Sequence, residues 1–562
     1  MPFTFLFDLP AYQAEPLPQK VAGGLWRQGL KDEISSSQLV QLVQAIAVQL
    51  LEKGVKKGDR VIILTDRYNL QWLATDMAIM ATGAITAPLH LPVREKELEQ
   101  IIRNIQPVII IHTAGIDISN ISGPDKLLLE QLATMNNQVQ AEDRERLQSI
   151  RSSLREEDIA TIVHTSGSSG EPRAVCLSHR NVVSNVLSVL SVVPFSPGTR
   201  VMSFLPLSHI FERIVCYVYL ASGANIYFLD SYRNALFALR DVRPAYFTAV
   251  PLVLERFVAL LEERIEEKSW LTRWMYKTWD QKHKGLIAHV VSFLAQHILI
   301  RRLKQRLGGK LKGIVSGAAY LDPEVERFYA RSGIRIRQGY GLTEASPVIA
   351  INRFEPGGHC SGTVGLPIPG VEVKIAEDGE VLVKGPNVMA GYYHDEAGTA
   401  EAIKDGWLHT GDIGRWEKEN FLVVKDRKSN IFKHASGKFI APAQIESILD
   451  HHPLIHDAMI VGFKRPFTVA LIIPDFDHLQ KECEKRKIHW TAPEYMVHNT
   501  IVISLYRDLL DHLGLQSHER IEKFTLLADT WSTENGLLTA TYKPRRGEIL
   551  AKYSREIDDL YT

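Results

Sequence analysis

An α/β fold is predicted by three features of the sequence. Short apolar runs alternate with longer amphipathic stretches over residues 59–112 and again over 159–250. A Gly-rich tract of short alternating runs follows at 362–425, and a smaller α+β pattern begins after Asp426-Arg427. Alternating strand and helix implies parallel sheet with both faces covered. The expected architecture is a large N-terminal domain, residues 1–427, of two wound βα sheets plus a small β-barrel-like subdomain, joined to a small α+β C-terminal domain, residues 428–562.

The elements follow in order. Ser35-Ser36-Ser37 ahead of Leu39, Leu42, Val43, Ile46, Leu50 and Leu51 predicts a capped amphipathic helix that stops at Gly54. Strand 59–64, helix 70–82, strand 84–89, helix 94–103 and strand 108–112 complete the first series, and a largely polar stretch at 136–158 interrupts the rhythm. The second series has strand 159–163, helix 180–190, strand 200–205, helix 210–221, strand 225–229 and a strand near 246–250. Two wound sheets leave a crevice outside the carboxyl ends of their strands, where ligands usually sit.

A long basic helical stretch at 252–311 carries Trp270, Trp274 and Trp279. At about 100° per residue the first two indoles share a face and the third falls nearly opposite Trp270. A solvated helical insertion is expected here, with peripheral contact at the inner face of a membrane as the alternative. Strand 312–315, the turn Ser316-Gly317-Ala318-Ala319, helix 323–331 and strand 334–337 then lead into Gln338-Gly339-Tyr340-Gly341-Leu342-Thr343-Glu344.

Composition narrows the function classes. A chain of 562 residues, 45% hydrophobic and 23% charged, should bury more than one core. Lys plus Arg equals Asp plus Glu at 65 each, so no whole-molecule field draws nucleic acid, and none is expected as a partner. Cys176, Cys216, Cys360 and Cys483 are scattered too widely for a zinc site or a disulfide framework. No basic segment precedes the short N-terminal apolar run, and the apolar stretch 72–92 is broken by Asp76 and Gly83. A cytoplasmic protein without a secretory signal or transmembrane helix is expected.

The segment His164-Thr165-Ser166-Gly167-Ser168-Ser169-Gly170-Glu171-Pro172-Arg173 stands between the apolar run 159–163 and a helical pattern opening near Ser178. Hydroxyls and glycines at a strand end let N–H groups converge on a phosphate, and Arg173 adds charge. The G-x-x-x-x-G-K-[ST] spacing is missing, and composition alone favours a flexible Gly/Ser surface linker.

Context separates these readings. The loop 164–175, Pro206-Leu207-Ser208-His209-Ile210-Phe211-Glu212-Arg213, Gln338 to Glu344, Trp407-Leu408-His409-Thr410-Gly411-Asp412, Lys425-Asp426-Arg427-Lys428 running on to Gly437, and the basic segment 538–546 occur in this order. Together they resemble the adenylate-forming (acyl-activating) superfamily. The 206–213 and 405–414 segments, with the helical insertion, look most like its long-chain fatty acyl-CoA synthetase branch.

That resemblance implies a ligase that attaches a fatty carboxylate to the α-phosphate of ATP, releases pyrophosphate, and lets the CoA thiol displace AMP. Thr165 and Glu344 are implied to hold Mg²⁺ and to act in catalysis, a hydroxyl and a carboxylate being donors this hard cation prefers. Ser166, Gly167, Ser168, Ser169, Gly170 and Arg173 would wrap the β- and γ-phosphates. Tyr340 would stack on adenine beside Gly317, Ala318 and Ala319, with Gln338, Gly339, Gly341 and Thr343 completing its motif. Asp412 would accept the ribose hydroxyls with Arg427 nearby, and Lys433 and Gly437 would belong to the nucleotide site.

His209 is assigned a carboxylate-orienting role, with a structural histidine as the alternative, and Phe211 either lines the acyl channel or belongs to the core. The family's loop usually ends Lys-Gly where this chain has Arg173-Ala174, and its hinge position appears here as Ser429. The C-terminal catalytic lysine is assigned to Lys543, although another register places Arg545 there. The rival readings are an acyl-AMP or carrier-protein ligase, and a weakened nucleotide- or acyl-binding protein.

Overall fold

The computed structural model describes residues 3–562 apart from 28, 92, 133, 135–137, 167–171, 230–233, 267–300, 302–303, 306, 320, 419, 434–438, 451, 518, 533 and 540–543. Contacts divide the chain into two units. The first holds Met1–Val373, Val383–His409 and Glu417–Leu422; the second holds Lys374–Leu382, Thr410–Trp416 and Val423–Thr562.

The first unit contains the two expected sheets. From one edge, the nine-stranded sheet runs Leu366–Pro367, Val348–Ile351, Arg335–Gly341, Gly313–Ser316, Tyr246–Ala249, Arg200–Ser203, Asn225–Leu229, Val21–Arg27 and Leu30–Ser35. Its six middle strands are parallel, from Arg335–Gly341 to Val21–Arg27. The seven-stranded sheet runs Gly391–Tyr392, Pro172–Ser178, Ile159–Ser166, Ile85–Leu89, Arg60–Leu64, Ile109–His112 and Asp125–Leu128. Its five strands from Ile159–Ser166 onward are parallel. Val61, Ile62, Ile63 and Leu64 are all buried, as a strand covered on both faces requires.

Local chemistry sets the helix starts. Ser35 Oγ accepts the Gln38 N–H at 3.2 Å while Gln38 Oε1 accepts the Ser35 N–H at 2.7 Å, a reciprocal cap on helix Ser36–Glu52. Ser178 and Asn181 do the same for helix His179–Leu190.

The structure corrects the sequence reading at the phosphate loop. The loop is followed by a strand, Pro172–Ser178, which pairs antiparallel with Ile159–Ser166, and only then by the helix. An unbroken apolar run, Ala174 to Leu177, carries no period that separates strand from loop. Helix Ala141–Ser153, inside the polar stretch, buries no residue and therefore shows no apolar stripe. The strand expected at 334–337 continues through Gly341, so the Gln338 to Gly341 motif is itself strand. A Cβ on Gly341 would sit 1.8 Å from the Pro347 carbonyl oxygen, which explains glycine there. Within the basic stretch, helix Pro251–Glu266 is described, while Trp270, Trp274 and Trp279 lie outside the described residues.

One buried polar network ties the two sheets' layers together. Arg213, on helix Ile210–Ala221, donates through Nε at 2.8 Å and through NH2 to both oxygens of Asp76, on helix Leu70–Ala81. Its NH1 donates to Thr161 Oγ1 at 2.8 Å, and the Tyr217 hydroxyl donates to Asp76 Oδ2. Arg213 is 1% exposed and Asp76 is fully buried, so every charge is paired where water cannot reach.

The second unit is α+β. Ile455–Val461 pairs antiparallel with Val469–Pro474, which pairs parallel with Lys523–Leu526. Leu449, Ile472, Leu479, Val502 and Tyr506 share one core, and Trp531, Ile549, Tyr553 and Ile557 belong to another beside the terminal helices. Among the described residues no helix is long and apolar enough to cross a membrane.

Candidate active site

The hairpin Ile159–Ser166/Pro172–Ser178 fixes the phosphate-side residues. Thr165 lies opposite Arg173, and its hydroxyl donates to the Arg173 carbonyl at 3.4 Å. Gly167, Ser168, Ser169 and Gly170 lie outside the described residues, while Ser166 is placed as the last residue of its strand. Burial pushes His164, the neighbour of Thr165, down to about 4 and keeps it neutral at pH 7.

Arg173 and Glu344 are joined through a residue that the motifs did not indicate. The Arg173 guanidinium carbon lies 5.1 Å from the centre of the Tyr392 ring, and a hydrogen bond with Tyr392 raises the Arg173 pKa. The Tyr392 hydroxyl donates to Glu344 Oε1 at 3.0 Å. Burial and then the Glu344 charge push this phenol up to about 12. Thr165, Arg173, Tyr392 and Glu344 therefore form one linked set, although Glu344 is far from the hairpin in sequence. The only signal for Tyr392 in the sequence was its place in the Gly-rich tract, where a tyrosine after glycine is unremarkable in pattern.

Glu344 is framed from behind. Its carbonyl accepts the Met389 N–H at 2.8 Å; Asn387 Nδ2 donates to Ala345 O at 2.9 Å, and Asn185 Nδ2 donates to Val348 O at 2.7 Å. These bonds hold the short Thr343–Ala345 turn that carries the carboxylate.

Gln338, Gly339 and Tyr340 occupy a strand that pairs in register with Gly313–Ser316 on one side and Val348–Ile351 on the other. The strand Gly313–Ser316 runs directly into Gly317, Ala318 and Ala319. Phe211 packs on this turn: a Cβ on Gly317 would lie 3.0 Å from its ring, and Ala318 adopts φ +73°. The aromatic of the 206–213 segment thus meets the small residues expected beside adenine, on the edge of a buried cluster that includes Phe247 and Ile314.

The remaining residues of that segment divide by burial. Glu212 is buried and accepts hydrogen bonds from Ser203 Oγ and Thr248 Oγ1, both at 2.5 Å. Burial pushes its carboxyl up to about 7. Arg213 belongs to the network with Asp76. His209 is the N-cap residue of helix Ile210–Ala221 and makes no side-chain cap bond.

In the second unit, Arg427 Nε meets Asp412 Oδ1 at 2.9 Å and Arg427 NH1 donates to Thr410 O at 3.2 Å. The two residues named in separate motifs thus lie in contact, with the carboxylate side chain 8% exposed and the guanidinium 53% exposed. Lys428 Nζ contacts Asp378 at 2.5 Å and Glu380 at 3.1 Å. Lys433 is placed in the short pairing Phe432–Lys433/Phe439–Ile440, and Gly437 lies outside the described residues. So does Lys543. Arg545 begins helix Arg546–Lys552, and its buried Nε has no partner among the described residues; Arg546 is tied to Glu446 and the Ile460 carbonyl.

Among the described residues no group of three His, Cys, Asp or Glu could hold a metal. Thr165 and Glu344 instead supply a hydroxyl and a carboxylate, and Glu344 Oε2 carries no hydrogen bond among the described residues. That donor set fits a hard cation completed by phosphate oxygens.

A family model described as AMP-binding enzyme matches residues 12–393, and one for the AMP-binding enzyme C-terminal domain matches residues 430–562. The chain belongs to the AMP-binding enzyme family. This AMP-binding enzyme is 29% identical to the long-chain-fatty-acid–CoA ligase FadD15 of Mycobacterium bovis, covering 97% of this chain and 94% of that protein. It is 30% identical to human long-chain-fatty-acid–CoA ligase 1, covering 94% and 82%. The fold matches o-succinylbenzoate coenzyme A synthetase from Bacillus subtilis in complex with ATP and magnesium ion, with TM-score 0.71, 19% identity and 96% and 98% coverage. It also matches the adenylation domain of a carboxylate reductase from Mycobacterium chelonae, with TM-score 0.76, 18% identity and 99% and 91% coverage.

Proposed function

We propose that the protein is an ATP- and Mg²⁺-dependent ligase that converts a long-chain fatty acid to its acyl-CoA through an acyl-AMP intermediate, releasing pyrophosphate and AMP. The observation that carries the chemistry is the linked set Thr165, Arg173, Tyr392 and Glu344, in which hydroxyl, cation and carboxylate meet beside the Gly/Ser loop. The acyl class and the CoA acceptor rest on the names of relatives aligned over nearly the whole chain.

In this reading the loop and Arg173 bind the β- and γ-phosphates, and the guanidinium provides a planar fork where related enzymes use an ammonium. Thr165 and Glu344 would hold Mg²⁺, which would supply charge neutralisation at the phosphate oxygens. Tyr392 orients the Glu344 carboxylate through Oε1, and that carboxylate would be a ligand to the cation. Tyr340 faces adenine beside Gly317, Ala318 and Ala319, and Asp412 with Arg427 takes the ribose hydroxyls. His209 orients the fatty carboxylate for attack on the α-phosphorus, and Lys543 stabilises charge developing there. The C-terminal domain starts at residue 428 and moves between half-reactions, a boundary supported by the second family model beginning at residue 430.

The purified protein, given palmitate, ATP and Mg²⁺, should release pyrophosphate and form palmitoyl-CoA only when CoA is present. Acyl-AMP that accumulates unchanged in the presence of CoA would overturn the ligase reading in favour of an adenylate-releasing or carrier-protein enzyme.

A further inference from the structure

A second polar cluster sits at the carboxyl ends of the parallel strands, where Ser208 and His209 of the 206–213 segment meet two residues that belong to no motif. Tyr68 follows strand Arg60–Leu64, His90 follows strand Ile85–Leu89, and Ser208 and His209 close the loop between strand Arg200–Ser203 and helix Ile210–Ala221. The first two residues come from the seven-stranded sheet and the last two from the nine-stranded sheet. The Tyr68 hydroxyl lies 2.6 Å from His90 Nδ1 and 3.4 Å from Ser208 Oγ, and Ser208 Oγ lies 3.4 Å from His90 Nδ1. The Tyr68 and His90 rings are nearly parallel, 7° apart, and the His90 and His209 ring centres are 6.1 Å apart.

The protonation states follow from burial. His90 is pushed down to about 4 and is neutral at physiological pH, while burial raises Tyr68 and keeps it a phenol. The neutral phenol and the neutral imidazole share a hydrogen bond between the Tyr68 hydroxyl and His90 Nδ1 at 2.6 Å. The Ser208 hydroxyl lies within reach of both groups. The result is a cluster of neutral groups that bridges two sheets and ends one residue before His209.

We propose that Tyr68, His90 and Ser208 form a latch that positions His209 for the fatty carboxylate. Tyr68 and His90 are positioning residues that act through His209. The latch fixes the Ser208-His209 turn from the opposite sheet, so the imidazole meets the carboxylate at one orientation. Three neutral groups suit this place, since a charged latch would compete with Arg173 or Mg²⁺ for the substrate anion. The inference rests on the ligase reading above and deepens it.

The test is a double-mutant cycle on the full-length protein, read as steady-state pyrophosphate release with palmitate and with ATP varied separately. Tyr68→Phe keeps the ring and removes only the hydroxyl. It should raise the KM for palmitate about 5–10-fold, the effect of one net hydrogen bond, and leave the KM for ATP within twofold. Ser208→Ala should shift the same parameter in the same direction. In a His209→Ala background, Tyr68→Phe should have no further effect, because a positioning residue has nothing left to position. The inference is overturned if Tyr68→Phe leaves the palmitate KM unchanged, or raises both KM values together, or acts equally with and without His209. Wild-type protein that releases no pyrophosphate with any fatty acid would instead sink the ligase reading itself, so the two failures are distinguishable.

Discussion

The same three chemical groups, an arginine, a tyrosine and a carboxylate, meet twice in the first unit. Arg213, Tyr217 and Asp76 meet in the core, where Arg213 is 1% exposed. Arg173, Tyr392 and Glu344 meet in a half-buried setting next to the Gly/Ser loop. In the core set both oxygens of the carboxylate are taken by the guanidinium, and no binding capacity remains. In the loop set the tyrosine stands between cation and carboxylate, occupies one oxygen and leaves the other. Burial and stoichiometry, not residue type, separate a group that holds the fold from a group that holds a ligand.

The comparison is broken most severely at the core set. Asp76→Ala should cost about 3–5 kcal/mol of stability, because it strands a buried guanidinium. Chemical denaturation would show a large drop in midpoint, and a fall below 1 kcal/mol would mean that water reaches Arg213. At the loop set the same kind of change should spare the fold. Glu344→Gln should leave the denaturation midpoint unchanged and slow pyrophosphate release by about 10²–10³-fold, the range for losing one preorganised electrostatic contact. An unfolded Glu344→Gln protein would place this carboxylate with the core set.

Glu212 lies between the two cases, being buried and satisfied by hydroxyls with no ion pair among the described residues. Its carboxyl is raised from 4.5 to about 7, so the folded state binds the proton more tightly than the unfolded chain. The associated stability is fully present below about 4.5 and is lost as pH rises through 7, a difference of up to about 3 kcal/mol. Glu212→Gln should flatten the stability profile between pH 5 and pH 8 and be the more stable form at pH 8. A wild-type profile that rises with pH over this window would show that Glu212 is ionised in the fold. The smallest effect is expected for Tyr392→Phe, which frees Glu344 Oε1 but keeps the ring under Arg173. It should lower kcat/KM for ATP by about tenfold and raise the Mg²⁺ concentration needed for half-maximal rate.

Much of this was legible in the sequence wherever a single stretch carried its own signal. The βα series was readable because each strand is an unbroken apolar run, and helix Ser36–Glu52 because Ser35 and its stripe lie within one window. Asp412 and Arg427, named in two separate motifs, are in contact in the fold. Tyr392, Asp76, Tyr68 and His90 were not legible. Each gains its meaning from a partner on another element, and each sits in sequence that reads as ordinary strand end or buried helix. Asp76 is instructive, because in sequence it only interrupted an apolar stretch, whereas in the fold it is the counter-ion of Arg213. The strand Pro172–Ser178 was missed for a different reason, since an antiparallel return strand buried on both faces has no alternation to announce it.

The most direct measurement follows the oxygen atoms. If a fatty carboxylate attacks the α-phosphorus and the CoA thiol then displaces AMP, one carboxylate oxygen leaves with the nucleotide. Palmitate labelled with ¹⁸O in its carboxyl, incubated with the protein, ATP, Mg²⁺ and CoA, should therefore give AMP carrying one ¹⁸O and unlabelled pyrophosphate. Label in inorganic phosphate with ADP as the nucleotide product, or AMP without label, would contradict an acyl-adenylate path through this site.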